Sequence, residues 1–359
     1  MKAKPVKNTL WNMPERKAKR LALAMGGVLL VLILLIALFP LLDRTAEKYE
    51  VTTYAMGSYV QQTVYGDARE AAAVQAADAV QALENKISWR VAGSDIQKLN
   101  DNAGKDWTAL SAETLEILKI AQDVAEKSGG AFDVTIAPVS RLWDFDDERN
   151  EVPADDKIQA LLPYVDYTGL RLDTDEKSAS LKNLNTAVDL GAVGKGAACD
   201  AAVRVYAETG VQAAIVSVGG SVGTYGTKAG GAKWNIAVRD PNGDGTLGSV
   251  SIASGFLSTS GSYEKCFTLD GKTYHHLLNP ETGYPAETGL VSVTVLSDSG
   301  ARADALSTAC FVLGMEKGAA LLAQYGAEGI FIDENGVVTV TGGWKDDFTL
   351  TAEGYTLAD

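Results

Sequence analysis

The chain has 359 residues, 46% of them hydrophobic, with 36 Gly, 9 Pro and a formal net charge of −14. That length and apolar content suit one large or two ordinary domains with a real core, and exclude a long disordered protein. The acidic balance excludes nucleic acid as a partner, because gripping a phosphate backbone needs a basic face.

Positive charge is concentrated at the start. Residues 1–20 carry seven Lys or Arg and one Glu, and residues 21–42 (LALAMGGVLLVLILLIALFPLL) carry no charge. An uncharged run of that length matches a hydrocarbon core of ~30 Å, and the basic flank places the N-terminus in the cytoplasm. A cleaved signal peptide would have a shorter apolar region, roughly 7–15 residues, and a small-residue cleavage site. Phe39-Pro40-Leu41-Leu42-Asp43 offers no such site. The expected organisation is a basic cytoplasmic tail (1–20), one transmembrane anchor (21–42), a polar linker (43–50) and a single extracytoplasmic domain (51–359).

Val51 to Tyr65 alternates and is rich in Val, Thr and Tyr, which predicts strands broken at Met56-Gly57-Ser58. Residues 67–86 read as an amphipathic helix and Ser94–Asn100 as a short capped turn. Ser111–Lys127 reads as a second helix, stopped by Gly129-Gly130. Ala131-Phe132-Asp133-Val134-Thr135 reads as a strand, residues 154–164 as a short helix and Tyr167–Thr186 as a hairpin. Thr186 to Asp200 (TAVDLGAVGKGAACD) then reads as a strand end at Ala187–Leu190, a small-residue turn at Gly191–Gly194 and a helix from Lys195. A strand, a glycine turn and a helix start gather free amide N–H groups and a lysine, which suits a phosphate. Asp189 adds a carboxylate for a hydroxyl or a metal. Alone, the same stretch is equally a tight connection whose glycines serve turn geometry.

Further strands are predicted at Gln212–Val218, Trp234–Val238, Ser249–Thr259 and Val291–Leu296. Helices at Asp304–Leu313 and Glu316–Tyr325 precede a closing β region at Gly329–Thr341. Interleaved strands and helices without a regular βαβ repeat make the fold class α+β. Asp240-Pro-Asn242-Gly-Asp244-Gly opens like a calcium loop, but Ser251 stands where a bidentate Glu is needed, so a hairpin turn is expected. Cys199, Cys266 and Cys310 are odd in number and widely spaced, and imply no disulfide framework.

Two constellations can carry chemistry. His275 and His276 are the only histidines, and adjacent strand residues point to opposite faces, so one can face a site while the other faces the core or solvent. Asp304 and Thr308 are four apart on a predicted helix and share a face. A carboxylate with a hydroxyl is hard oxygen ligation of the kind Mg²⁺ takes; an Asp early in a helix also serves as a cap.

Eight segments occur in one order along the chain: Tyr54–Ser58, Ser94–Asn100, Gly130–Val134, Asp189–Gly196, Ser217–Gly220, Thr259–Gly261, His276–Pro280 with Thr282-Gly283, and Ala303–Thr308. Together they resemble the ApbE family of flavin transferases, over roughly residues 51–345. The resemblance implies a T-fold-like catalytic domain that binds FAD and Mg²⁺ and moves FMN onto a Thr or Ser of a partner protein, releasing AMP. It implies an FAD site lined by Met56, Trp89, Ala131, Phe132, Asp133, Asp189, Lys195 and Leu278. It implies a metal held by the Ala192 carbonyl, Asp304 and Thr308, with Ser307 where some members have an acidic ligand. His276 corresponds to the histidine that activates the acceptor hydroxyl, and Asn279 stands where the family often has Asp. The implied partners are membrane-associated or extracytoplasmic flavin carriers with an Asp-Gly-x-Thr/Ser-x-Ala-Thr acceptor motif, which this chain itself lacks. An FAD pyrophosphatase that uses water as acceptor, and a membrane-tethered FAD-binding protein without turnover, are the competing readings.

Overall fold

The structure is a computed structural model and describes residues 47–146, 150–228 and 231–358. The expected tail and anchor lie outside the described residues. Among the described residues no helix is long and apolar enough to cross a membrane.

The frame is a nine-stranded sheet whose strands are hydrogen-bonded neighbours in the order in which they occur in the chain. They are Lys48–Ala55, Ser58–Tyr65, Ala213–Val218, Ser221–Gly226, Gly255–Gly261, Leu290–Ser297, Glu328–Asp333, Val337–Val340 and Thr356–Leu357. All neighbours are antiparallel except the last pair, which is parallel. Antiparallel strands accept short turns, which is why Met56-Gly57 suffices between the first two.

Strand alternation sends two sets of side chains to opposite faces. On one face Val60, Val64, Val216, Val218, Val293 and Val295 join the buried sides of helices Arg69–Ile87, Gly191–Thr209 and Gly300–Leu313 in the main core. On the other, Leu257, Ile330, Ile332 and Val340 meet Trp234, Ile236 and Val250. Those last three come from a smaller sheet of Trp234–Arg239, Thr246–Ile252 and Phe348–Leu350. A third, aromatic cluster joins Val139, Trp143 and Ile158 to Phe267 and Leu278, with Trp143 stacked on Phe145 at 5.4 Å.

Helices Gly191–Thr209 and Gly300–Leu313 cross in backbone contact. A Cβ at Gly196 would lie 1.9 Å from the Gly300 carbonyl oxygen, and one at Gly300 would lie 2.2 Å from that of Gly196. No residue but glycine fits at either point. Asp200 then caps the second helix: its carboxylate accepts from the amides of Gly300 (2.7 Å) and Ala301 (2.8 Å). That cap, with Ser299 at the N-cap, starts the helix four residues before Asp304.

Several expectations are corrected. Ala131–Thr135 forms no strand, because Asp133 accepts from the Thr135 amide and hydroxyl, both at 2.7 Å, and curls the segment into turns. Ala187–Leu190 contributes one isolated bridge, between Ala187 and Ile136. The small residues Gly191–Gly194 are the first turn of the helix, not a loop before it. Ser249–Thr259 divides at Ala253-Ser254 into strands of two different sheets. Cys199 and Cys310 are buried and Cys266 exposed, all free.

Candidate active site

The helix crossing and the strand Gly255–Gly261 build the floor of the site. Asp304 is buried, and its Oδ2 accepts from the Gly196 amide at 3.0 Å. Its Oδ1 accepts from the Ser258 hydroxyl at 2.8 Å, which in turn lies 2.6 Å from the Ser221 hydroxyl. Two residues on, and so facing the same way, Ser260 lies 2.8 Å from the Ser307 hydroxyl and 3.1 Å from that of Thr308. Ser307 also donates to the Asp304 carbonyl at 2.9 Å. Ala192 stands four residues before Gly196 in the same helix, so ideal helix geometry puts its carbonyl one turn below the amide that Asp304 takes.

This donor set is one carboxylate with carbonyl and hydroxyl oxygens. Among the described residues no group of three or more His, Cys, Asp or Glu is placed to hold a metal. Hard oxygens with a single charge fit Mg²⁺, which keeps several waters and shares substrate phosphates, better than zinc, which prefers nitrogen and sulfur. Asp304, Ala192, Ser307 and Thr308 would hold it.

The rim is assembled from four other segments. Met56 has φ of 57°, a left-handed conformation that a two-residue hairpin turn imposes at a cost for a non-glycine residue. The turn seats its methyl group over Gly194, where a Cβ would lie 3.0 Å from Met56 Cε. Lys195 donates to the Gly191 carbonyl at 3.2 Å, and its stem lies against Gly219 beside Ser58. Asp189 accepts from the Gly191 amide at 2.8 Å and from the Trp89 indole N–H at 3.1 Å, which fixes the indole beside the helix start. Arg141 and Arg90 sit over that indole, 4.1 Å and 4.5 Å from its centre. Arg90 is ion-paired to Asp146 at 2.7 Å, and Lys265 reaches the other oxygen of the same carboxylate at 2.7 Å.

The two histidines diverge. His275 ends the strand Lys272–His275, buried edge-on against Phe311 at 5.5 Å. His276 lies just beyond the strand, half-buried, with Nδ1 3.1 Å from the Glu264 carbonyl. A carbonyl only accepts, so Nδ1 carries the proton and Nε2 keeps its lone pair. Enclosure by the surrounding chain, with the positive charges of Lys195 and Lys265 adding to it, pushes the His276 pKa down to about 4. The imidazole is therefore neutral at physiological pH.

Among the residues implied by the resemblance, the structure gathers Asp304, Ser307 and Thr308 with Ala192 on the floor, and Met56, Lys195, Trp89 and Asp189 at the helix start. It turns three others inward. Phe132 is buried, with its amide donating to the Ser128 hydroxyl at 3.2 Å; Ala131 beside it is half-buried. The Asp133 carboxylate accepts from Thr135 and, at 2.9 Å, from the Tyr167 amide, against burial that pushes its pKa up. Leu278 belongs to the aromatic cluster. What these three have left to offer a ligand is main chain and the loop shape they hold.

Sequence reading missed Ser258, Ser260 and Arg141. Period-two spacing in Ser258-Thr259-Ser260 was the available signal for the serines. Arg141, on a seven-residue helix, gave none.

Comparison with known proteins gives the same picture. The profile described as the ApbE family matches residues 56–331. The FAD:protein FMN transferase of Treponema pallidum is 32% identical over 320 residues, covering 83% of this chain and 88% of its own. The solved ApbE protein of Thermotoga maritima is 31% identical and superimposes with a TM-score of 0.78 over 84% of this chain and 99% of its own. The flavinyl transferase ApbE of Pseudomonas stutzeri, solved in its apo form, gives 28% identity and a TM-score of 0.75 over 85% and 98%. With most of its length matched in sequence and in fold, this chain belongs to the ApbE family.

Proposed function

We propose that the chain is an FAD:protein FMN transferase, with Mg²⁺ as its metal and FAD as donor substrate. The observation that carries this reading is the geometry of His276, whose Nδ1 lies 3.1 Å from the Glu264 carbonyl, which only accepts, so that Nε2 is left as the proton acceptor. In the reaction the acceptor's Thr or Ser oxygen attacks the flavin-side phosphorus of FAD. The bond from that phosphorus to the bridging oxygen breaks and AMP departs, while the hydroxyl proton passes to His276 Nε2. The metal, when bound, neutralises charge on the pyrophosphate.

The chain's own residues do the rest. Lys195 brings a cation to the helix start, and the Gly196 amide and Ser258 hydroxyl hold Asp304 in one orientation. Asp189 fixes Trp89 as a flat apolar wall. Fixed dipoles of this kind need no reorganisation as charge develops. The charge-free run at 21–42 behind a basic tail supports placement in the cell membrane, with this domain outside the cytoplasm and partners that are themselves membrane-associated.

The test incubates the full chain in detergent with FAD, Mg²⁺ and a domain carrying the acceptor motif, and follows acceptor mass and AMP. FMN addition with equimolar AMP, abolished by EDTA, is expected. Free FMN with AMP and an unmodified acceptor would point to the pyrophosphatase; bound FAD without products would leave a binding protein.

A further inference from the structure

Two guanidinium groups share the indole of Trp89, and they are not equivalent. Arg90 is held by Asp146 at 2.7 Å, in a bridge that also includes Lys265. Arg141 makes no ion pair among the described residues, although it is the nearer of the two to the ring centre, at 4.1 Å. Asp189 attracts it and Arg90 repels it. Yet Asp189 spends its oxygens on the Trp89 indole and the Gly191 amide, and among the described residues no carboxylate comes within ion-pair distance of Arg141. What holds the guanidinium is cation–π contact, a weak tie on an exposed side chain. An arginine with five donors and no acceptor, beside the Gly191–Thr209 helix start, is unspent binding capacity for an anion.

We infer that Arg141 is a further substrate-binding residue, which takes a phosphate oxygen of the bound flavin nucleotide or of the departing AMP. This rests on the proposed reading of the site as an FAD site. The fork of Arg141 suits a phosphate bidentately, where Lys195 meets it as a point charge. Leaving the Trp89 face for the phosphate would also free the indole to stack on a ring of the ligand. Arg141 thus serves affinity for phosphorylated ligands over the bare ring system.

The experiment is equilibrium titration of the full chain in detergent with three probes, FAD, AMP and riboflavin, on wild type, Arg141→Ala and Arg141→Lys. Arg141→Ala should weaken FAD by about 10- to 100-fold and leave riboflavin unchanged or slightly tighter; a matching loss for AMP places the contact on the adenylate phosphate, and no loss for AMP places it on the flavin-side phosphate. Arg141→Lys should recover part of the loss, and rising salt should erode wild-type affinity for FAD more than that of Arg141→Ala. Equal loss for riboflavin and FAD would make Arg141 a mere cover on Trp89, and FAD affinity within twofold of wild type would overturn the inference outright. A wild-type chain that binds no FAD would instead sink the transferase reading; circular dichroism of both variants guards against misfolding.

Discussion

The floor and the rim of the site are built on different principles. On the floor, Asp304, Ser258, Ser221, Ser260, Ser307 and Thr308 form a connected, mostly buried network in which the polar atoms partner one another. On the rim, among the described residues, Arg141 has no ion pair and Lys195 bonds only to its own helix carbonyl, at 3.2 Å, while His276 keeps a lone pair on Nε2. A satisfied network is rigid and costly to disturb, whereas uncommitted groups stay available to a ligand. The floor is thus prepared in advance to set geometry, and the rim waits for the nucleotide and the acceptor.

This contrast orders the expected effects. Asp304→Ala should cut transfer by on the order of 10³-fold or more, since it removes the only carboxylate of the floor. It should also lower stability, because it removes the buried bonds from the Gly196 amide and the Ser258 hydroxyl; full activity with undiminished metal dependence would break the floor assignment. His276→Ala should slow transfer roughly 10²- to 10⁴-fold while FAD affinity stays within about threefold of wild type, the contact being made to a proton rather than to the nucleotide. Comparable loss in both, read from titration beside single-turnover transfer, would move His276 from chemistry to binding. Gly196→Ala should destabilise the fold by about 1–3 kcal/mol, because its Cβ would meet the Gly300 carbonyl at 1.9 Å and spread the crossing that aims Asp304. An unchanged melting temperature would mean that the two helices are free to slide. Trp89→Phe, which keeps the ring and loses the N–H to Asp189, should weaken FAD by only about five- to tenfold in the same titration.

The same division explains what could be read in the sequence. Ser94 and Ser111 announce their helices because each side chain accepts from an amide three residues on. The first hairpin is legible because Met56-Gly57 interrupts clean alternation. The floor is legible only in part: Asp304 and Thr308 declare a shared helix face, but the contact of Gly196 with Gly300 joins residues 104 positions apart, and no local pattern encodes it. For the same reason Gly191–Gly194 reads as a turn, although tertiary packing makes those small residues a helix start. Ala131–Thr135 reads as a strand because alternation alone suggests a pairing, and forms none because capture of Thr135 by the Asp133 carboxylate outcompetes it. Rim charges are hardest to read, since Arg141 acquires meaning only from the indole it covers.

The most direct test of the central claim, that His276 is a neutral imidazole poised to accept the acceptor's proton, is the pH dependence of kcat/KM for FAD between pH 5 and 8, with acceptor and Mg²⁺ saturating. That parameter reports ionisations of the free enzyme. A pKa pushed down to about 4 leaves Nε2 unprotonated across the whole range, so the account predicts a flat profile. A fall toward acid with a midpoint near the ordinary histidine value of about 6.5, lost in His276→Ala, would contradict it.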